Sequence, residues 1–179
     1  MGLAEIYGNL NTGGIVRIKF KPHEQKKLRI LTSPEDINGQ YEHVIQDKDG
    51  KWMTAKCLST SKADKVNCPC CASGNQASYR FYLEVVDEED DTVKFYKAPK
   101  SVGMQIASFL ETYKAINNRL FIIKRIEGEI ISYQVLPLDK DNKKLDKYES
   151  TVDLKEMMQE TEMAVDEIKE RLGEEIKPF

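Results

Sequence analysis

Alternating apolar and polar residues recur along most of the chain and predict a mainly β protein. Runs of this kind, or short apolar runs of strand length, occupy residues 15–21, 26–32, 41–45, 52–56, 79–87, 92–98, 120–126 and 130–136. Asp47–Gly50 joins two of these runs, and an Asp-Gly pair in that position is typical of a hairpin. We therefore expect a hairpin formed by 41–45 and 52–56.

Two segments have the period of an amphipathic helix instead. Residues 101–113 repeat apolar side chains every three or four positions, with Ser101 as the expected N-cap. A second such segment follows Asp153, which forms a capping box with Glu156. Its apolar stripe is expected to pack on the rest of the chain or on a second subunit, which would make the protein self-associate.

The order of these elements predicts the fold. The coarse order is strands, a cysteine-rich insertion, two strands, a helix and two strands. Without the insertion this approximates three strands, a helix and two strands, which is the order of a five-stranded oligonucleotide-binding barrel. We expect a mainly β (α+β) fold with this barrel over residues 15–138, and an inserted cysteine-rich subdomain at about 41–78. Residues 1–14 are expected to form an N-terminal arm, residues 139–172 a linker and an amphipathic helix, and residues 173–179 an acidic tip.

Length and charge limit the kinds of protein this can be. The chain has 179 residues, enough for one domain of about 100–150 residues with an appendage. Residues 1–147 carry 23 basic and 20 acidic residues, whereas residues 148–179 carry 4 and 10, so a net +3 body precedes a net −6 end. No apolar run approaches the roughly 20 residues that cross a bilayer, and the first residues do not resemble a secretory signal. We expect a cytoplasmic protein whose body meets an anion.

All four cysteines lie in one stretch that also contains a histidine. His43, Cys57, Cys68 and Cys71 have the spacing of a closed tetrahedral Cys3His set, which is typical of a structural zinc site. Pro69 fixes φ in the turn between the last two ligands. We predict one structural Zn²⁺, although Cys70 could replace either of its neighbours as a ligand.

Other interpretations of these cysteines remain open. They could be free thiols or disulfides, although the expected cytoplasmic location argues against disulfides. Cys68-Pro69-Cys70-Cys71 could also be a redox dithiol, but that motif needs a preceding strand and a helix that starts at the cysteines. The residues before it are polar, and no convincing helix follows. A metal site is the favoured interpretation.

Aromatic and basic residues share several predicted strands, which is typical of proteins that bind single-stranded nucleic acid. We expect Trp52, Tyr82 and Tyr96 to stack on bases, although strand rings are as often part of a core. The expected phosphate contacts are Arg17, Lys19, Arg29, Lys56, Arg80, Lys94, Lys97 and Lys124.

Residues 24–138 resemble the single-stranded DNA-binding proteins of tailed phages, the helix-destabilising type with a zinc knuckle in an oligonucleotide-binding fold. The resemblance rests on Tyr41-Glu42-His43, Cys57, Cys68–Gly74 and Tyr79–Val86, and on the helix before the final two strands. It implies zinc ligation by His43, Cys57, Cys68 and Cys71. It also implies sequence-tolerant protection of single-stranded DNA in phage replication, recombination and repair, inside the host cytoplasm.

The end of the chain is similar to the acidic tip with which bacterial single-stranded DNA-binding proteins recruit partner enzymes. That likeness implies a partner-binding role for Ile176, Pro178 and Phe179, although Lys177 interrupts the acidic run. The alternative function is a zinc-stabilised phage transcription or assembly adapter that does not bind nucleic acid. We expect no enzymatic activity, because the sequence has no spaced acid pair, no Ser/His/Asp set and no phosphate-binding glycine loop. The acids at 87–91 could be taken for a metal-dependent nuclease cluster, but adjacent turn carboxylates are usually solvated.

Overall fold

A computed structural model describes residues 15–59 and 67–173. The described residues fall into two compact units, and each is considered by itself. The knuckle unit contains residues 40–79 and 155–173, and the sheet unit contains residues 15–39 and 80–154.

Seven strands lie in the described part of the chain, so the prediction of a mainly β fold is confirmed but the expected number of five strands is exceeded. The strands are β1 (Gln25–Ile30), β2 (Asn38–Gln46), β3 (Trp52–Lys56), β4 (Ser78–Asp87), β5 (Thr92–Pro99), β6 (Arg119–Ile126) and β7 (Ser132–Lys140). The helices are α1 (Pro69–Ala72), α2 (Lys100–Tyr113), α3 (Leu154–Gln159) and α4 (Val165–Leu172), with a short 3-10 turn at Pro34–Asp36.

Within the sheet unit, five strands pair in the order β5-β4-β1-β6-β7, and every pair is antiparallel. The sheet is open, because β5 and β7 are its outer strands among the described residues of this unit. Helix α2 follows β5 in sequence and packs against both β5 and β7. The core contains Leu28, Ile30, Leu83, Val85, Tyr96, Val102, Ile106, Phe121, Ile123 and Val135.

Helix α2 lies so close to the sheet that two of its residues have specific roles. Gln105 donates a hydrogen bond to the Tyr133 carbonyl (3.0 Å) and accepts one from the Val135 N–H (3.1 Å), so its amide satisfies the edge of β7 as a further strand would. At Gly103 a Cβ atom would lie 2.0 Å from the Phe81 ring. Only glycine permits this approach.

Three predictions about individual elements were wrong. Residues 15–21 make only an isolated parallel bridge, Arg17 to Phe95, because neighbouring Pro22 and the positive φ (59°) of His23 interrupt extension. Helix α2 begins at Lys100 with Pro99 as N-cap, so Ser101 lies inside it. The expected single C-terminal helix is two helices, α3 and α4.

The knuckle unit is built on the predicted hairpin, which is confirmed. Strands β2 and β3 pair antiparallel from Glu42–Lys56 to Gln46–Trp52, and Gly50 has φ +79° in the turn. Helix α4 belongs to this unit: Ile168 is fully buried with Ile45, Met53 and two cysteines. Of the predicted apolar stripe in this helix, Ile168 is therefore buried within the chain, whereas Val165 is 38% exposed.

None of the helices in the described residues has both the length and the apolar character needed to cross a membrane.

Candidate metal centre

The knuckle unit brings together the four side chains that the sequence predicted as ligands. His43 lies on β2, Cys57 follows β3, and Cys68 and Cys71 flank the start of the one-turn helix α1. Cys57 is held beside β2 by a hydrogen bond from its N–H to the Tyr41 carbonyl (2.8 Å). The four ligand atoms all lie within 4.8 Å of one another.

Three of the separations between these ligand atoms fit a tetrahedral ion. Bonds of about 2.3 Å to sulfur and 2.0–2.1 Å to imidazole nitrogen place two sulfurs about 3.8 Å apart, and a sulfur and a nitrogen about 3.6 Å apart. The Cys57 and Cys71 sulfurs are 3.6 Å apart. His43 Nε2 is 3.5 Å from the sulfurs of both Cys68 and Cys71. The cluster can hold a metal ion with four protein ligands.

Asn75, which the sequence analysis did not single out, orients the histidine. Its Nδ2 donates to the Val44 carbonyl (3.0 Å), so its Oδ1 faces His43 Nδ1 at 2.9 Å as an acceptor. This arrangement places the imidazole proton on Nδ1 and leaves the Nε2 lone pair directed at the sulfurs. A hydrogen bond of this kind commonly sets the tautomer of a metal-bound histidine. The only sequence signal was that Asn75 follows the glycine that closes the knuckle.

The sulfurs differ in their electrostatic surroundings. Burial opposes ionisation of Cys68, but N–H groups of Cys71, Leu58 and Cys70 outweigh it and lower the pKa of Cys68 below its ordinary value. Burial and then the neighbouring Cys57 and Cys68 sulfurs raise the pKa of Cys71 to about 12. The Cys71 thiol therefore resists ionisation unless a cation neutralises the neighbouring sulfurs.

Cys70 lies outside the ligand set, which resolves the ambiguity left by the sequence. Its side chain is completely buried in the small core of the knuckle unit, beside Ile168 of α4. None of the four cysteines is in a disulfide, so the disulfide interpretation is not supported. The Cys70 carbonyl accepts hydrogen bonds from Asn75 N–H (3.0 Å) and Ser73 Oγ (2.9 Å), which closes the turn.

The expected phosphate contacts do not form one continuous set. In the sheet unit, the prediction for Arg29 was wrong. Arg29 is 1% exposed and its guanidinium donates a hydrogen bond to Asp141 (2.5 Å), so it cannot contact a phosphate in this state. Lys94 is ion-paired with Asp87 (2.9 Å) and Asp90 (2.6 Å). Lys19 and Lys124 are exposed, whereas Arg17, Arg80 and Lys97 are half-buried.

Two of the three expected stacking rings also need correction. Tyr82 and Tyr96 are 1% and 3% exposed, so neither presents a face to a base. Strand β4 is buried on both sides, and Tyr82 packs 5.4 Å from Phe95 on the side that was expected to be open. In the knuckle unit Trp52 is half-buried, and Lys56 is ion-paired with Glu162 (2.6 Å).

A pair of rings that was not predicted is better exposed. Tyr41 is 48% exposed, and Tyr79 packs edge-to-face against it with ring centroids 5.0 Å apart. Both belong to the knuckle unit. The proposed partner-binding residues Ile176, Pro178 and Phe179 lie outside the described residues.

The acidic residues between β4 and β5 are matched by lysines. Asp87 and Asp90 form ion pairs with Lys94, and Glu88 and Asp91 form ion pairs with Lys143. Glu89 lies 3.8 Å from Lys26. Among the described residues, the His/Cys cluster is the group that can hold a metal ion.

Comparison of the chain with protein-family models, curated proteins and solved structures gives no significant match.

Proposed function

We propose that this protein binds single-stranded DNA without strong sequence preference and that a structural zinc ion stabilises its knuckle unit. The strand pairing of the sheet unit carries the proposal. Its first strand lies between the second and fourth, and a helix separates the third from the fourth. This strand order supports the proposal of a partly open oligonucleotide-binding barrel, in which β5 and β7 would flank the opening.

The metal is proposed to be zinc because the donor set contains three thiolates and one imidazole, and three of the ligand separations are those expected around a tetrahedral ion. Softer sulfur donors favour zinc over magnesium or calcium. Four protein ligands leave no open position, so the ion would stabilise the fold rather than catalyse a reaction. The small apolar core of this unit gives a reason for the ion, since folding and metal binding are coupled in such modules.

Two surface features support contact with nucleic acid. On the sheet unit, Lys27 and Lys124 are exposed and occupy diagonal positions on one face, since Lys27 pairs with Ile122 and Gln25 pairs with Lys124. On the knuckle unit, the Tyr41–Tyr79 pair offers an exposed aromatic face to an unpaired base.

The decisive experiment is a fluorescence-anisotropy titration of labelled single-stranded DNA, RNA and duplex at two salt concentrations. Single-stranded DNA should bind most tightly, with a log–log salt slope near −0.7 per phosphate contact. Tyr41→Ala and Tyr79→Ala should each weaken binding by about 1–3 kcal/mol. Tyr113→Ala, which removes an exposed ring on α2, is the control. Equal affinity for duplex, or a flat salt response, would contradict the proposal.

The burial of Tyr82 and Tyr96 removes two of the expected stacking rings. The alternative function is therefore a zinc-stabilised transcription or assembly adapter of a phage that does not bind nucleic acid. The same titration separates the two functions, because the adapter should show no affinity for any oligonucleotide. Zinc content by elemental analysis tests the part that both share, and one ion per chain is expected.

Recruitment of replication and recombination enzymes through Ile176, Pro178 and Phe179 is also part of the proposal. Deleting residues 174–179 should abolish capture of such an enzyme while zinc content stays unchanged. The deletion should also tighten binding to single strands at low salt, because it removes two acidic residues and only one basic residue.

A further inference from the structure

One segment of the sheet unit, Asp141–Val152, is anchored at both ends and is called the strap. At its start, the Asp141 carboxylate accepts a hydrogen bond from buried Arg29 on β1 (2.5 Å). At its end, one oxygen of the buried Glu84 carboxylate on β4 accepts three hydrogen bonds. The donors are the Ser150 hydroxyl (3.0 Å) and the N–H groups of Thr151 (3.2 Å) and Val152 (3.1 Å).

Between these anchors, three donors of the strap converge on one carboxylate of the β4–β5 turn. Lys143 Nζ lies 3.1 Å from Asp91 Oδ1 and 2.6 Å from Glu88 Oε1. The Lys147 ammonium and the Tyr148 hydroxyl donate to the same Asp91 carboxylate. The two ammonium groups also lie 5.5 Å and 4.8 Å from the centroid of the Tyr148 ring.

The arrangement is that of an anion site filled by the chain's own carboxylate. Proteins bind the oxygens of a phosphate with donors of this kind, here two ammonium groups and one hydroxyl directed at a single anionic group. Lys147 and then Tyr148 and Lys143 lower the pKa of the Asp91 carboxyl below its usual range, which is the response of a carboxylate that occupies a cationic site.

The occupant lies at the protein surface. Asp91 is exposed and has a left-handed backbone conformation (φ 54°), which is uncommon for a residue other than glycine. Ion pairs at such exposed positions contribute little to stability, so a competing anion can replace the carboxylate. The strap would stay in place, because its two anchors do not involve Asp91.

We propose that Lys143, Lys147 and Tyr148 form a phosphate-binding site for single-stranded nucleic acid, and that Asp91 occupies this site until a strand displaces it. This inference rests on the proposed function and adds to it both a binding site and an internal competitor. Neither lysine belongs to the set that the sequence analysis selected.

The test measures the affinity of labelled oligothymidylate, from low salt upward through a salt series, for four variants and the unmodified protein. Asp91→Asn removes the competitor and should bind about two- to fivefold tighter. Asp49→Asn makes the same charge change in the exposed turn of the β2–β3 hairpin and should leave the affinity unchanged. Lys147→Gln should weaken binding and reduce the salt slope by about 0.7, whereas Lys144→Gln, at an exposed neighbouring position, should do neither.

The outcomes separate the two proposals. If the unmodified protein binds and Asp91→Asn binds equally well, or if the two lysine variants behave alike, the inference is overturned and the proposed function stands. If no variant binds the oligonucleotide, both are overturned. If only Asp91→Asn binds, the inference and the proposed function are both supported, and Asp91 blocks binding completely in the unmodified protein.

Discussion

The amide of Asn75 and the imidazole of His43 meet at 2.9 Å, with Nδ1 as donor and Oδ1 as acceptor. Asn75→Ala removes this acceptor, so the imidazole proton is no longer held on Nδ1 and can move to Nε2. Loss of such a contact typically costs about 10–100-fold in metal affinity. The measurement is zinc competition against a chromophoric chelator. Asn67→Ala, at an exposed position just before the knuckle, is the control, and equal affinities would show that Asn75 does not orient the ring.

Cys71 and Cys70 are adjacent, but only Cys71 faces the other ligands. We expect Cys71→Ser to lose the metal and to unfold the knuckle unit, because three ligands bind zinc far more weakly than four. Cys70→Ala should keep one zinc per chain and lose stability only through the small cavity. Elemental analysis and thermal unfolding with and without a chelator distinguish the two. Metal retained in Cys71→Ser and lost in Cys70→Ala would reverse the ligand assignment.

Gly103 and Phe81 determine how closely α2 approaches the sheet. Gly103→Ala gains helix propensity of about 0.8–1.0 kcal/mol, but its Cβ would lie 2.0 Å from the ring. Overpacking of this kind costs about 1–3 kcal/mol, so the net free energy of unfolding should fall. Ser108→Ala on the exposed side of α2 is the control for urea unfolding. Rescue by adding Phe81→Leu would identify the ring as the cause, and a stabilised Gly103→Ala would contradict the packing.

Asp141 should make stability depend on pH. The hydrogen bond from Arg29 outweighs the effect of burial and lowers the pKa of the Asp141 carboxyl in the folded state. Its contribution is therefore present above the ordinary value of about 3.9 and is lost as pH falls through the lower folded value. Asp141→Asn should lower the free energy of unfolding by about 1–2 kcal/mol at pH 7. This is less than a fully buried charged hydrogen bond would contribute, because the carboxylate is partly exposed.

Urea unfolding at pH 7 and at about pH 2 checks this, because the unmodified protein and Asp141→Asn should converge in acid. Asp146→Asn removes an exposed charge from the strap and should show no such convergence. A difference between the two proteins that is independent of pH would mean that the carboxylate charge is not what matters.

The sequence was sufficient for features that depend on local spacing. The hairpin around Gly50, helix α2 and the four ligands were all predicted, because turn residues, helical period and ligand spacing are short-range signals. The orientation of His43 by Asn75 was not, since ligand spacing carries no information about the groups behind the ligands.

Long-range contacts explain the failed predictions. Arg29 was assigned to the surface from its place in an alternating run, but its partner Asp141 lies 112 positions further along the chain. Alternation separates the two faces of a strand without telling which face is covered. For β4 both are covered: Glu84 on the second face is held by residues 66–68 positions away.

The burial of Ile168 against Cys68 and Cys70 also has a consequence for biosynthesis. All four ligands of the knuckle are translated before the sheet unit is complete, whereas helix α4 comes near the end of the described chain. A nascent chain can therefore present its thiols and its imidazole well before the apolar cover exists. Since chains fold progressively from the N-terminus as they emerge, a metal ion captured early would stay exposed to exchange. It would be sealed in only after residues 165–172 have left the ribosome.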